Sequence, residues 1–130
     1  MDNIDNMDNS QLQLVTNEQA LRLKKMKFDW KCIMVYNDDR MHKSYCSNHN
    51  KWDDTDLASA PTVARALKWF RDCVKIVNHV SYANGYYGAY KQCGDSVETW
   101  GETDVSESYE AAESALLDEL LTFIEKQPET

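Results

Sequence analysis

Asn84-Gly85 stands between two strand-like runs, "KIVNHVSYA" and "YYGAYKQC", and no other pair in the chain constrains the fold as tightly. Both residues tolerate positive φ and suit a two-residue hairpin loop, and loop length sets strand register. The predicted register places Ala83 opposite Tyr86, Tyr82 opposite Tyr87 and Val80 opposite Ala89. A turn at Gly94-Asp95 adds a third strand, with Lys91 opposite Glu98 and Ala89 opposite Trp100. Side chains alternate faces along a strand. One face then collects Ile76, Val80, Tyr82, Tyr87, Ala89, Cys93 and Trp100, an apolar floor for helices. The other collects Val77, His79, Tyr86, Tyr90 and Thr99, with Ser81, Gly88 and Gly101 forming a shallow trough. Glycine in a strand often marks the close approach of another group.

Three helices are expected. "TNEQ" is a capping box, with Thr16 as N-cap, Gln19 three residues on, and Val15 and Ala20 placed for a hydrophobic staple. Ala20, Leu21 and Leu23 should face inward, while Arg22, Lys24, Lys25 and Lys27 complement the helix dipole at the far end. "APTVARALKWFRDC" has Pro61 near its first turn and Val63, Ala66, Leu67, Phe70 and Val74 on one stripe. A last helix, about 107–125, carries Tyr109, Ala112, Leu116, Leu120 and Phe123. "WKCIMVYNDDRMHKSYC" reads as strands 30–36 and 41–46, and residues 47–59 as polar and irregular. The expected fold is α+β, in the order α-β-β-α-β-β-β-α, with two amphipathic helices packed on one face of an antiparallel sheet. Residues 1–11 read as a disordered acidic tail and 12–130 as a single domain. The 30–46 hairpin is too apolar to stand alone. It is expected to cover the tyrosine face or extend the sheet, a homodimer being the next choice.

The net charge of −8 is unevenly spread: residues 95–130 hold eleven acids and one base, Lys126. That balance argues against direct nucleic-acid binding. The order helix–strand–strand–strand–helix over 61–125 matches a double-stranded-RNA-binding domain, yet such domains need a basic end on the last helix. Here that end carries Glu107, Glu110 and Glu113. No apolar run approaches the roughly 18–20 residues of a membrane span, and the N-terminus has no secretory pattern. A cytoplasmic setting with reduced thiols is expected.

Candidate chemistry is sparse. Cys32, His42, Cys46 and His49 offer thiolate and imidazole ligands suited to zinc, but without a Cys-x2-Cys knuckle. A surface histidine or two beside half-buried thiols is the favoured reading, and no metal or cofactor is expected. Asp53, Asp54 and Asp56 lack the glycine and distal glutamate of a calcium loop. No nucleophile elbow, phosphate loop or His-Glu-x-x-His occurs, so an enzyme is not expected. His79 with Tyr90 and Thr99 makes a polar trio but no catalyst.

"APTVARALKWFRD", the tyrosine-rich hairpin and "SYEAAESALLDELL" together resemble a group of uncharacterised short proteins encoded by phages and prophages of gut anaerobic bacteria. "VTNEQALRLKKMKFDW" is similar to their opening helix, so the likeness spans most of residues 14–125. It implies a cytoplasmic accessory protein and brings no substrate, cofactor or active residue. The leading expectation is a non-enzymatic interaction module for a host or phage protein, using His79, Tyr86 and Tyr90. The alternative is an acidic nucleic-acid mimic using Glu110, Glu113 and Glu119 against a DNA-binding protein. A small zinc-binding domain comes third.

Overall fold

Polar side chains, as much as apolar ones, fasten the first elements. The computed structural model describes residues 13–37, 40–47, 50, 57–93 and 98–126, which fall into two compact units meeting in sequence at Val63 and Ala64. The tail expected over residues 1–11 lies outside the described residues. The first unit opens with helix α1 (Asn17–Lys25), capped as expected: the Thr16 hydroxyl accepts from Gln19 N at 3.1 Å and the Gln19 side chain accepts from Thr16 N at 2.9 Å. Val15 and Ala20, the proposed staple, are both buried. The inner face differs from expectation. Leu21 is 42% exposed, whereas Lys24 is buried and its amine donates to Leu57 O at 2.7 Å. The long lysine stem covers apolar surface and its charged head finds a carbonyl. α1 closes with Lys27 in the left-handed region, Lys27 N on Lys24 O and Phe28 N on Leu23 O, a Schellman pattern without its usual glycine.

Strands β1 (Cys32–Asn37) and β2 (Arg40–Ser47) form the expected hairpin. A third strand, β3 (Leu57–Ser59), completes a sheet ordered β2-β1-β3. "LAS" is too short to show a period and reads from sequence as part of an irregular stretch. β3 is anchored by the buried Asn50, whose Nδ2 donates to Phe28 O at 3.0 Å while its Oδ1 accepts from Ser59 N at 2.9 Å. The hairpin therefore does not extend the sheet formed by the strands of residues 76–102; its sheet is completed by β3 instead. Tyr36 secures the segment before α1, donating to Val15 O at 2.7 Å.

The second unit holds helix α2 (Val63–Trp69, its first residue the boundary), a π-helical segment (Phe70–Val74), strands β4 (Ile76–Tyr82), β5 (Tyr86–Cys93) and β6 (Glu98–Glu102), and helix α3 (Tyr109–Glu125). The whole is α+β, with two three-stranded antiparallel sheets. The stripe Ala66, Leu67 and Phe70 is buried as expected, and Lys75 ends the segment in the left-handed region with its N–H on Phe70 O. Asn78 ties this element to β4, donating to Leu67 O at 3.1 Å and to Ile76 O at 3.2 Å.

The β4–β5 register corrects the sequence reading by one residue. Tyr82 pairs with Tyr86 and Val80 with Gly88, around a three-residue loop, Ala83–Gly85. Asn84 and Gly85 do take positive φ, at 58° and 131°, but as the last two residues of that longer loop. A one-residue slip moves every side chain of β5 to the other face relative to β4. Tyr86, Gly88 and Tyr90 thus join Ile76, Asn78 and Val80 on the helix-covered face, while Tyr87, Ala89 and Lys91 join Val77, His79 and Ser81 on the other. The β5–β6 register also moves, by two residues, so Lys91 meets Trp100 and Tyr90 meets Gly101. The expected Ser81–Gly88–Gly101 trough does not form. Both glycines admit neighbours on the helix side. A Cβ on Gly88 would come 2.6 Å from Leu116 Cβ, and one on Gly101 2.5 Å from the Tyr90 hydroxyl.

α3 lies over this face, with Ala112, Leu116, Leu117, Leu120 and Leu121 buried and Phe123 packed on Tyr90 at 5.6 Å between ring centroids. Truncating Leu67 or Leu116 to Ala should cost about 2–5 kcal/mol in chemical denaturation. Gly88→Ala should cost about 1–3 kcal/mol, because its new methyl meets the Cβ of Leu116 rather than a flexible tip. A neutral Gly88→Ala would restore the two-residue-loop register, in which that position faces away from the helices.

Candidate binding surface

Tyr82 and Tyr86 are direct cross-strand partners at the turn end of β4 and β5, with ring centroids 5.0 Å apart and planes at 69°. Tyr109, the first residue of α3, continues the contact: its ring lies 6.0 Å from Tyr86 at 80°. Edge-to-face pairs of this kind add about 0.5–1.5 kcal/mol beyond simple burial. The helix starts where it does because Ser108 caps it, its Oγ accepting from Ala111 N at 3.1 Å. The segment before the cap runs beside β5, with Tyr86 and Ser106 exchanging backbone hydrogen bonds of 3.0 and 2.6 Å. Val105 then stands against Gly85, where any Cβ would overlap it.

Tyr82 is 68% exposed, Val105 56% and Tyr109 45%. These are three of the six large apolar side chains exposed among the described residues, and they gather at one end of one unit. Two others, Val77 and Trp100, flank Lys91 in a single cross-strand row on the sheet face opposite the helices.

Carboxylates border the tyrosine cluster. Glu113 sits on the next turn of α3, and its carboxyl is pushed above the usual glutamate range by burial and then by Glu110, with Arg71 acting the other way. Burial, helped by Glu113 and Glu110, likewise raises the Tyr109 hydroxyl, and Arg71 again opposes. Arg71 comes from the π-helical segment, and its Nη1 donates to Asn78 Oδ1 at 2.9 Å. The same asparagine that ties the segment to β4 therefore aims the guanidinium.

The residues singled out from sequence scatter. Tyr86 lies in the cluster, but on the helix side of the sheet rather than the open side. Tyr90 is buried under α3, with Phe123 on its ring; burial foremost, then the hydrogen-bonded Glu119 carboxylate, raises its hydroxyl. His79 pairs with Ala89, across the sheet from Tyr90, so the polar trio does not assemble. Trp100, expected in the core, is 68% exposed. Glu110 and Glu113 border the tyrosines and Glu119 serves Tyr90. Cys32 is buried, its thiol 3.5 Å from Trp30 O, and the β1–β2 register sets Ser47 beside it and Val35 beside His42. Cys46 lies in β2, and His49, Asp53, Asp54 and Asp56 lie outside the described residues. Among the described residues, no group of three or more His, Cys, Asp or Glu is placed to hold a metal.

Tyr82 and Tyr109, which the sequence assigns to inward-facing positions, are exposed here, and Val105 and Arg71 carry no site signal in the sequence. The available signal was Ser108: a cap there makes Tyr109 the first residue of its helix, where its ring meets Tyr86 on one side and stays exposed on the other. Among the described residues, no helix is long and apolar enough to cross a membrane. Comparison with known families, curated proteins and solved structures finds no match.

The raised Glu113 carboxyl has a sign for stability. Its protonated form suits the fold better, so its favourable contribution is complete below the unfolded-state pKa and is lost as pH rises through the folded one. Tyr109 and Glu110 on α3 and Arg71 across from it are the groups it faces. Glu113→Gln should therefore melt above the parent at neutral pH, and the difference should vanish at about pH 3.5.

Proposed function

We propose that this chain is a non-enzymatic protein-interaction module whose second unit binds its partner through Tyr82, Tyr86 and Tyr109. The observation that carries this reading is the gathering of Tyr82, Tyr109 and Val105, all exposed, around the half-buried Tyr86. A folded monomer exposes single apolar residues freely, but a contiguous exposed patch marks a contact site. Tyrosine suits such a site: it has only two side-chain torsions to fix, a large apolar ring and a polar tip. The absence of nucleophile-elbow, phosphate-loop and zincin motifs from the sequence agrees with a binding rather than a catalytic role. The placement as a cytoplasmic accessory protein of phage or prophage origin rests on the resemblance of residues 14–125.

The nucleic-acid-mimic reading draws less support from the geometry. A phosphate mimic needs a row of exposed, unengaged carboxylates, yet Glu113 is half-buried and Glu119 accepts from Tyr90.

The test compares two double variants in quantitative capture from host lysate. Tyr82→Ser/Tyr109→Ser should keep the parent's circular dichroism and weaken partner recovery at least about tenfold, the usual cost of removing central aromatic anchors. Val77→Ser/Trp100→Ser, on the other sheet face, should leave recovery within about twofold. The opposite pattern would move the binding surface to the Val77–Lys91–Trp100 row and defeat this reading.

A further inference from the structure

We infer that the partner segment seated on the tyrosine cluster is basic, an extended stretch whose lysine or arginine side chains lie against Tyr82 and Tyr109. This rests on the interaction-module reading and gives its partner a chemistry. Asp104, Glu107 and Glu110 are exposed in the segment that begins beside Val105 and ends in the first turn of α3, and Glu113 follows one turn on. Four carboxylates outweigh one guanidinium, Arg71, and the half charge of a helix N-terminus. Arg71 is held to Asn78 and acts electrostatically on Tyr109 and Glu113 from there.

The ring arrangement selects the same class of ligand. A cation is attracted to the face of a tyrosine, and the attraction grows where neighbouring groups exclude water. Tyr86 is half-buried between Tyr82 and Tyr109, so a long cationic side chain finds apolar ring surface and then carboxylates. An acidic segment would meet the same rings and be repelled by the border. A purely apolar segment would strip water from Glu110 and Glu113 without replacing it. The net charge of −8 adds a general repulsion of anions.

General attraction of an acidic protein for any cation must be separated from recognition here. The experiment uses the full chain and a fluorescent peptide of alternating arginine and glycine, with a glutamate–glycine peptide of equal length as comparison, both followed by anisotropy. The arginine peptide should bind and the glutamate peptide should not. Tyr82→Ser/Tyr109→Ser, which leaves the charge unchanged, and Glu110→Gln/Glu113→Gln should each weaken binding about tenfold. Glu18→Gln/Asp29→Asn removes the same charge from the first unit and should change binding less than about twofold. No binding of the arginine peptide, or equal weakening in the Glu18/Asp29 control, overturns the inference. So does sedimentation showing that the parent self-associates and the tyrosine variant does not, since the occupant would then be a second copy. If the tyrosine variant loses its lysate partner while the arginine peptide fails to bind, the basic partner falls and the interaction module stands. If the tyrosine variant keeps its lysate partner, the module reading falls as well.

Discussion

The second unit depends on one close approach, Leu116 of α3 over Gly88 of β5. At 2.6 Å from Leu116 Cβ there is no room for a side chain on that strand position, so the helix can settle only where a glycine faces it. This fixes which side of β5 is covered, and with it the register against β4 and the destination of each tyrosine. Tyr90 goes under the helix to Phe123, Gly101 makes room for its hydroxyl, and Tyr86 is carried to the end of α3. Tyr87 is left on the far side with Lys91 and Trp100. The loop agrees with this contact: a third loop residue accommodates the slip, and Asn84 and Gly85 supply the positive φ that it needs.

The first unit solves a different problem, the attachment of short elements. β3 has three residues, too few for a ladder to hold by itself. Side chains replace the missing backbone partners. Asn50 spans Phe28 and Ser59, Lys24 closes on Leu57, and Tyr36 reaches Val15. A buried donor left without an acceptor costs about 1–3 kcal/mol, so each link, once made, resists being opened. The composition gave no hint of this, because asparagine and lysine are read from sequence as surface residues.

At the candidate surface, the helix cap and the charge distribution act together. Ser108 places Tyr109 at the rim, and the acidic residues that suit a helix N-terminus are the ones that border the aromatic cluster. A feature that sequence reading explains by dipole stabilisation acquires a second consequence once the tyrosines are beside it. Both explanations hold at once, since Glu110 can complement the dipole and still face a ligand. Glu113 differs, because it is partly buried and shares its surroundings with Glu110.

Sequence by itself determined the local elements. The Thr16 capping box, the Ala66–Leu67–Phe70 stripe, the amphipathic last helix, both hairpins and the acidic C-terminal region all follow from short-range chemistry, and the α+β class follows from their order. Tertiary structure alone decided the register of β4 against β5, the existence of β3, the burial of Lys24 and Tyr90, and the meeting of Tyr82, Tyr86 and Tyr109. The reason is one of range and period. Helical stripes and caps are read over four or five residues and tolerate small errors in position. Strand faces alternate every residue, so a slip of one inverts the surface, and the slip here is chosen by a helix that arrives some thirty residues later in the chain.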